Sequence, residues 1–270
     1  MKVMLTTLFI LAYAVLCSKV WHVNTAEGIY KDFNQLSEAN NSSDVLAGDT
    51  VYVYPGNYEG CTINKKLVII GPGYFLDQNL QLQYNQNSSY IGAITFDVGS
   101  EDSKLTGVVS NYISIVTDGI TIKRNLLCGT NDGANVLNIS NGRNNIILQN
   151  YIVNWVEYWY VHVYYDLPIV IDCSSLNGPT GNQIINNIII GNPDNRVNAI
   201  TSNSACMIKN NVIVGNLDVI DSNIENNILY RGDYNGHDTS FARFNLCNSE
   251  QFSPNGENGK IGRASCRERV

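Results

Sequence analysis

An aliphatic-Asn frame recurs along this chain and restricts its fold more than any other feature. "QIINNIIIGN" runs from Gln183 to Asn192, and "MIKNNVIVGN" repeats it from Met207 to Asn216. Aligned on the second Asn, the frame yields a series: Asn125 in "ITIKRNLL", Asn150 in "IILQNYIV", Asn187, Asn211, Asn227 in "SNIENNILY" and Asn245 in "FARFNLC". The gaps are 25, 37, 24, 16 and 18 residues. Periods near twenty, made of short β-branched segments, imply an all-β solenoid whose coils stack on one another. The dense Ile, Val, Asn and Gly content and the shortness of the apolar runs disfavour helix.

The Asn has a physical task in such a solenoid. A coil must turn sharply between flat strands, and Asn tolerates the left-handed backbone that the turn needs. Its amide both donates and accepts, so Asn side chains stacked one strand spacing apart can hydrogen-bond along the axis. Asn125, Asn150, Asn187, Asn211, Asn227 and Asn245 are therefore expected to form a structural ladder. Asn216 is expected in an outer loop.

"LAGDTVYVYPGNYEG", "INKKLVIIGPGYFL" and the NN-aliphatic coils together resemble secreted bacterial proteins of the right-handed parallel β-helix, or pectin-lyase-like, class. The resemblance covers roughly Trp21 to Asn248. It implies a single right-handed parallel β-helix with a short N-terminal capping helix, for which "DFNQLSEAN" is well placed with Asp32 as N-cap. The expected organisation is a signal peptide over 1–17, an N-terminal strand and capping helix over 18–48, a β-helix over 49–259, and a foreign tail over 260–270.

Both ends carry their own signals. Lys2 followed by "VMLTTLFILAYAVL" reads as a secretory signal cleaved near Cys17 or Ser18, too short to span a bilayer comfortably. A lipid-anchored Cys17 is the alternative. "IGRASCRERV", Ile261 to Val270, reads as a translated sequencing-library adapter, and Lys260 fits the same frame; the genuine chain is then expected to be truncated near Gly259. Without Lys2, Arg263, Arg267, Arg269 and Glu268, 13 basic and 23 acidic residues remain, a net charge near −10. The basic residues form no run, which argues against nucleic acid and anionic membranes as partners. Cys61, Cys128, Cys173, Cys206 and Cys247 remain within the chain, an odd number without CxxC; one disulfide is allowed and none is demanded.

No catalytic constellation is visible. Enzymes of the class carry acidic or basic clusters on neighbouring coils, but "TND" (Thr130 to Asp132), "GHD" (Gly236 to Asp238) and "IKR" (Ile122 to Arg124) match the polygalacturonase-type motifs poorly. Asp172, Asp194 and Asp218 follow successive coil positions only loosely, with Arg196 nearby, and Asp218 and Asp221 could pair as acid and base. No metal site is expected, and no cofactor unless the chain is a lyase using calcium. His22, His162 and His237 do not cluster, and surface or turn roles suit them better than catalysis.

One stretch stands out. In "WVEYWYVHVYYD", strand alternation puts Tyr158, Tyr160, His162, Tyr164 and Asp166 on one face and Trp159, Val161, Val163 and Tyr165 on the other. The first set would form an aromatic ribbon suited to stacking on sugars or gripping a partner; packing under the rest of the insertion is the competing reading. Three function classes follow. A secreted or cell-surface noncatalytic module, monomeric and binding polysaccharide or a surface protein, accounts for the ribbon and the absent acid-base set. A polysaccharide lyase or glycoside hydrolase follows from fold analogy. A solenoid spacer for a missing C-terminal sorting or anchor domain is the third.

Overall fold

The computed structural model describes residues 18–26, 30–78, 85–129, 135–154, 170–173, 180–191, 198–230, 234–236, 240–243 and 245–247. Each coil supplies one short strand to each of three sheets, called A, B and C in chain order. Sheet A has ten strands, from Val20–Val23 to Phe241–Arg243; sheet B has nine, from Gly56–Tyr58 to Leu246–Cys247; sheet C has eight, from Cys61–Ile63 to Tyr234–Gly236. Each strand pairs in parallel with its equivalent in the next coil, so strands are distant neighbours in sequence but adjacent in space.

The aliphatic frame builds the core. In sheet A, Val51, Ile69, Leu105, Ile122, Ile147, Ile184, Ile208 and Ile224 stand in one inward column, all buried. Leu127, Ile152, Ile189, Ile213 and Leu229 do the same in sheet B. Each such side chain contributes about 1.5–3 kcal/mol on burial, and stacking similar shapes favours close packing between coils.

At the N-terminal end, Val20–Val23 joins sheet A beside Thr50–Val53. The helix α1, Leu36–Asn41, buries Leu36 and Ala39 against the first coil. Its N-cap is Gln35 and not Asp32. The Asp32 carboxylate instead accepts the His22 backbone N–H at 2.8 Å, tying the incoming loop to the first strand. Glu38 reaches back from the first helical turn to accept the N–H groups of Asn34 (2.7 Å) and Gln35 (3.3 Å), satisfying donors the helix leaves open.

The A-to-B corner carries a continuous amide ladder. The backbone N–H of Asn125, Asn150, Asn187, Asn211 and Asn227 each donates to the side-chain Oδ1 of the next Asn in the series, ending at Asn245, over 2.8–2.9 Å. Each Nδ2 donates both to that same Oδ1 and to a sheet A carbonyl of the preceding coil, such as Ile147 or Ile184. The ladder begins at Asn125 because the equivalent residue one coil earlier is Val108, whose N–H the Asn125 Oδ1 accepts at 3.0 Å.

The left-handed turn falls on the residue before each ladder Asn, not on the ladder Asn itself. Arg124, Gln149, Asn186, Asn210 and Asn226 have φ of 53–57° and are exposed. The two members of an Asn pair thus divide the work: the first makes the turn, the second fills it. A shorter ladder at the C-to-A corner uses Asn145, whose N–H donates to Asn182 Oδ1 at 2.9 Å. Asn216 does not lie in an outer loop; it opens the sheet C strand Asn216–Val219.

Differences in coil length are absorbed at the corners, most at the A-to-B connection between Ile70 and Ser89 and at the B-to-C connection between Asn154 and Ile171. Gly215 alone, at φ 118°, connects Val212–Val214 to Asn216–Val219. At the same corner, the insertion holding Trp155 to Asp166 leaves sheet B after Asn154 and re-enters sheet C at Ile171.

Candidate functional site

A groove of about 740 Å³ lies along the A-to-B corner, where the segment following Val68–Ile70 crosses the edge of the next coils. Two contacts set its height. Gly71 donates to the Thr106 carbonyl and Gly73 to the Gly107 carbonyl, both at 2.8 Å. Gly71 and Gly107 approach so closely that a Cβ on Gly107 would sit 2.6 Å from the Gly71 carbonyl oxygen. Leu76 then anchors the segment in buried surroundings.

Between these anchors the chain presents Tyr74 and Phe75. Phe75 holds a left-handed φ of 55°, an uncommon conformation for a bulky residue and one that costs about 1–3 kcal/mol. That turn packs its ring edge-on against Tyr74 (5.0 Å) and, across the groove, against Tyr151 on the outer face of sheet B (5.4 Å). Phe75 remains 39% exposed, so the contact leaves ring surface open.

The polar lining comes from the turn column. Arg124 and Gln149 occupy the left-handed positions where the later coils use Asn186, Asn210 and Asn226. Arg124 Nε donates to Gln149 Oε1 at 3.2 Å, which orients the guanidinium along the groove. Among the described residues Arg124 forms no ion pair. Burial pushes the Tyr74 phenol above its ordinary value, and the Arg124 charge pulls it partly back. Among the described residues the lining offers ring faces and edges, one cation and the amides of Gln149, Asn150 and Asn186, with no acid-base pair. It suits stacking and hydrogen bonding.

A second surface runs along sheet C. Thr62, Thr95, Ser114, Asn138, Asp172, Thr201 and Asp218 share one outward register column, polar at every step. Asp172 and Asp218 are therefore in strict register, two strands apart with Thr201 between them, rather than loosely placed. Asn135 donates to Asp172 Oδ2 at 3.0 Å. Thr201 Oγ1 is buried without a hydrogen-bond partner among the described residues. Asp221 belongs to the next corner, at a left-handed φ of 53°, and so leaves this face.

The ribbon of Tyr158, Tyr160, His162, Tyr164 and Asp166 lies outside the described residues, as do Asp194 and Arg196. His22 sits on the outer face of sheet A, its Nδ1 3.3 Å from the Tyr54 hydroxyl. The sequence reading did not find the groove. Two signals point to it: an aromatic pair directly after Gly-Pro-Gly, and Arg and Gln replacing Asn at two turn positions.

Three stacked parallel sheets define a single parallel β-helix solenoid. No family model and no curated protein matches the chain. Among solved structures it is similar to one titled "Geobacillus virus E2 - ORF18", with 14% identity and a TM-score of 0.42, over 77% of this chain and 50% of that one. The chain thus spans about half the length of that structure. It is also similar to a pectin methylesterase in complex with a hexasaccharide, with 10% identity and a TM-score of 0.35, over 87% of this chain and 67% of that one.

Proposed function

We propose that this protein is a noncatalytic glycan-binding module, exported and acting outside the cell, and that the A-to-B corner groove holds the sugar. The observation that carries the reading is the aromatic trio Tyr74, Phe75 and Tyr151 flanking Arg124, with Phe75 kept in a strained turn that leaves ring surface open. Aromatic rings stack on the apolar faces of pyranose rings at little entropic cost, while Arg and amide groups select hydroxyl or carboxylate substituents. A groove of this volume lies within the range typical of small-ligand sites. The test is a glycan array with the wild type and a Tyr74→Ala/Tyr151→Ala variant of unchanged far-UV spectrum. Loss of binding in the variant supports the groove; retained binding refutes it. A Tyr158→Ala/Tyr160→Ala variant on the same array tests the ribbon separately.

Hydrolysis is the second reading, and the sheet C column favours it. Two strand spacings put Asp172 and Asp218 roughly 9.5 Å apart at Cα, near the carboxyl separation that leaves room for an attacking water in inverting glycosidases. Release of reducing sugar by the wild type and not by Asp172→Asn or Asp218→Asn would establish it. Absence of cleavage across a polysaccharide panel would remove it.

A further inference from the structure

The two most buried of the free thiols meet in the core. Cys173 closes the sheet C strand Ile171–Cys173, and its register partner one coil on is Ser202. Cys206 opens the sheet A strand Cys206–Lys209, just around the corner from Ser202. The Ser202 hydroxyl lies 3.2 Å from Cys206 Sγ, so the serine in register with Cys173 also borders the Cys206 thiol. Both cysteines are almost fully buried, at 0% and 3% exposure, in the same core cluster as Ile171, Ile200, Ile208 and Val219. Two buried thiols on either side of one serine, on adjacent coils, are placed for a cross-link between coils.

We propose that Cys173 and Cys206 are an oxidisable pair, which a hydroperoxide converts into a disulfide joining the Asp172-bearing strand to the corner of the next coil. Cys206 is the thiol that ionises first: hydrogen bonds from Cys173 and from Ser202 hold it below its ordinary value, whereas donating that bond, together with burial, raises Cys173. The Cys206 thiolate attacks the peroxide, breaking the O–O bond and becoming a sulfenic acid; the released hydroxide and the Cys206 proton form one water. Cys173 sulfur then attacks the sulfenic sulfur, the S–O bond breaks, and a second water leaves with the Cys173 proton. Two thiols and one hydroperoxide thus yield one disulfide and two waters. Hydrogen peroxide is small enough to reach a buried pair through local opening of the coils. Cys61 provides an internal contrast, since burial pushes its thiol up to about 12 and removes its thiolate at neutral pH.

The experiment treats the folded full chain with hydrogen peroxide, removes the oxidant, denatures, alkylates with a maleimide and maps peptides by mass. The expected result is one linked peptide pair containing Cys173 and Cys206, two hydrogens lighter than the sum of the reduced peptides, formed while Cys61 is still alkylated. The Cys173→Ser variant should instead leave Cys206 as a sulfenic acid that a cyclic diketone traps, and the Cys206→Ser variant should leave Cys173 alkylatable. Full alkylation of both thiols in the wild type, over-oxidation of Cys206 without a linked pair, or linkage of either thiol to a different cysteine would overturn the proposal. Oxidation of the chain unfolded in urea is the control; if the same pair dominates there, the folded contact is not its cause and the proposal fails.

Discussion

Replacing Asn211 by Leu removes the centre of the amide ladder while nearly preserving side-chain volume. In the wild type, Asn211 Oδ1 accepts from the Asn187 backbone N–H (2.8 Å) and from Asn187 Nδ2 (3.0 Å), and Asn211 Nδ2 donates to the Ile184 carbonyl (2.8 Å) and to Asn227 Oδ1 (3.0 Å). Two of the groups left behind keep partners: Asn187 Nδ2 retains the Ile147 carbonyl, and Asn227 Oδ1 retains the Asn211 N–H. The Asn187 N–H loses its acceptor inside the structure. One orphaned buried donor costs about 1–3 kcal/mol, and the lost net hydrogen bonding adds about 1, so the expected destabilisation is about 2–4 kcal/mol. That corresponds to a fall in Tm of roughly 4–16 °C for a chain of this size. The control is Asn210→Gly in the same turn. Asn210 is exposed at φ 56°, which glycine adopts without penalty, so its effect should stay within about 0.5 kcal/mol. Urea melts of both variants, with hydrogen exchange at the Asn187 amide, make the comparison. Equal midpoints, or an Asn187 amide as protected in Asn211→Leu as in the wild type, would refute the assignment of the ladder's stability to satisfied buried donors.

Other outcomes follow from the same geometry. Burial raises the Glu225 carboxyl, but hydrogen bonds from Arg243, Asn223 and Lys209 outweigh it, so its folded value lies below the ordinary 4.5. A lowered folded value means stabilisation fully present above pH 4.5 and lost as pH falls below it through the folded value, so the Tm advantage of wild type over Glu225→Gln should shrink in acid; parallel pH profiles would contradict this. Gly107→Ala must carry a left-handed φ of 74° and meet the Gly71 carbonyl, so it should cost about 1–3 kcal/mol in a urea melt and weaken glycan retention by lifting the Tyr74–Phe75 segment; unchanged binding would separate the groove from that anchor. Deleting Ile261–Val270 should leave Tm unchanged if the segment is adapter-derived, as its sequence predicts; calorimetry of the two chains tests this, and a lower Tm without the segment would contradict it.

The sequence alone determined the solenoid, because coil stacking needs the same residue type at the same place in every turn. Ile147, Ile184, Ile208 and Ile224 repeat for that reason, and Asn150, Asn187, Asn211 and Asn227 repeat because each amide completes its neighbour's hydrogen bonding. What does not repeat left no periodic trace. The groove joins Phe75 to Tyr151, 76 residues apart, and Asp172 meets the column of Asp218 only through the register of the strand between them. Such neighbours are chosen by the number of residues each corner absorbs, and the B-to-C corner ranges from a single Gly215 to the long segment between Asn154 and Ile171. The division of labour within each Asn pair was also decided in three dimensions. Both members are the same residue, but only one faces a coil above it that needs a hydrogen-bond acceptor, and the other faces water.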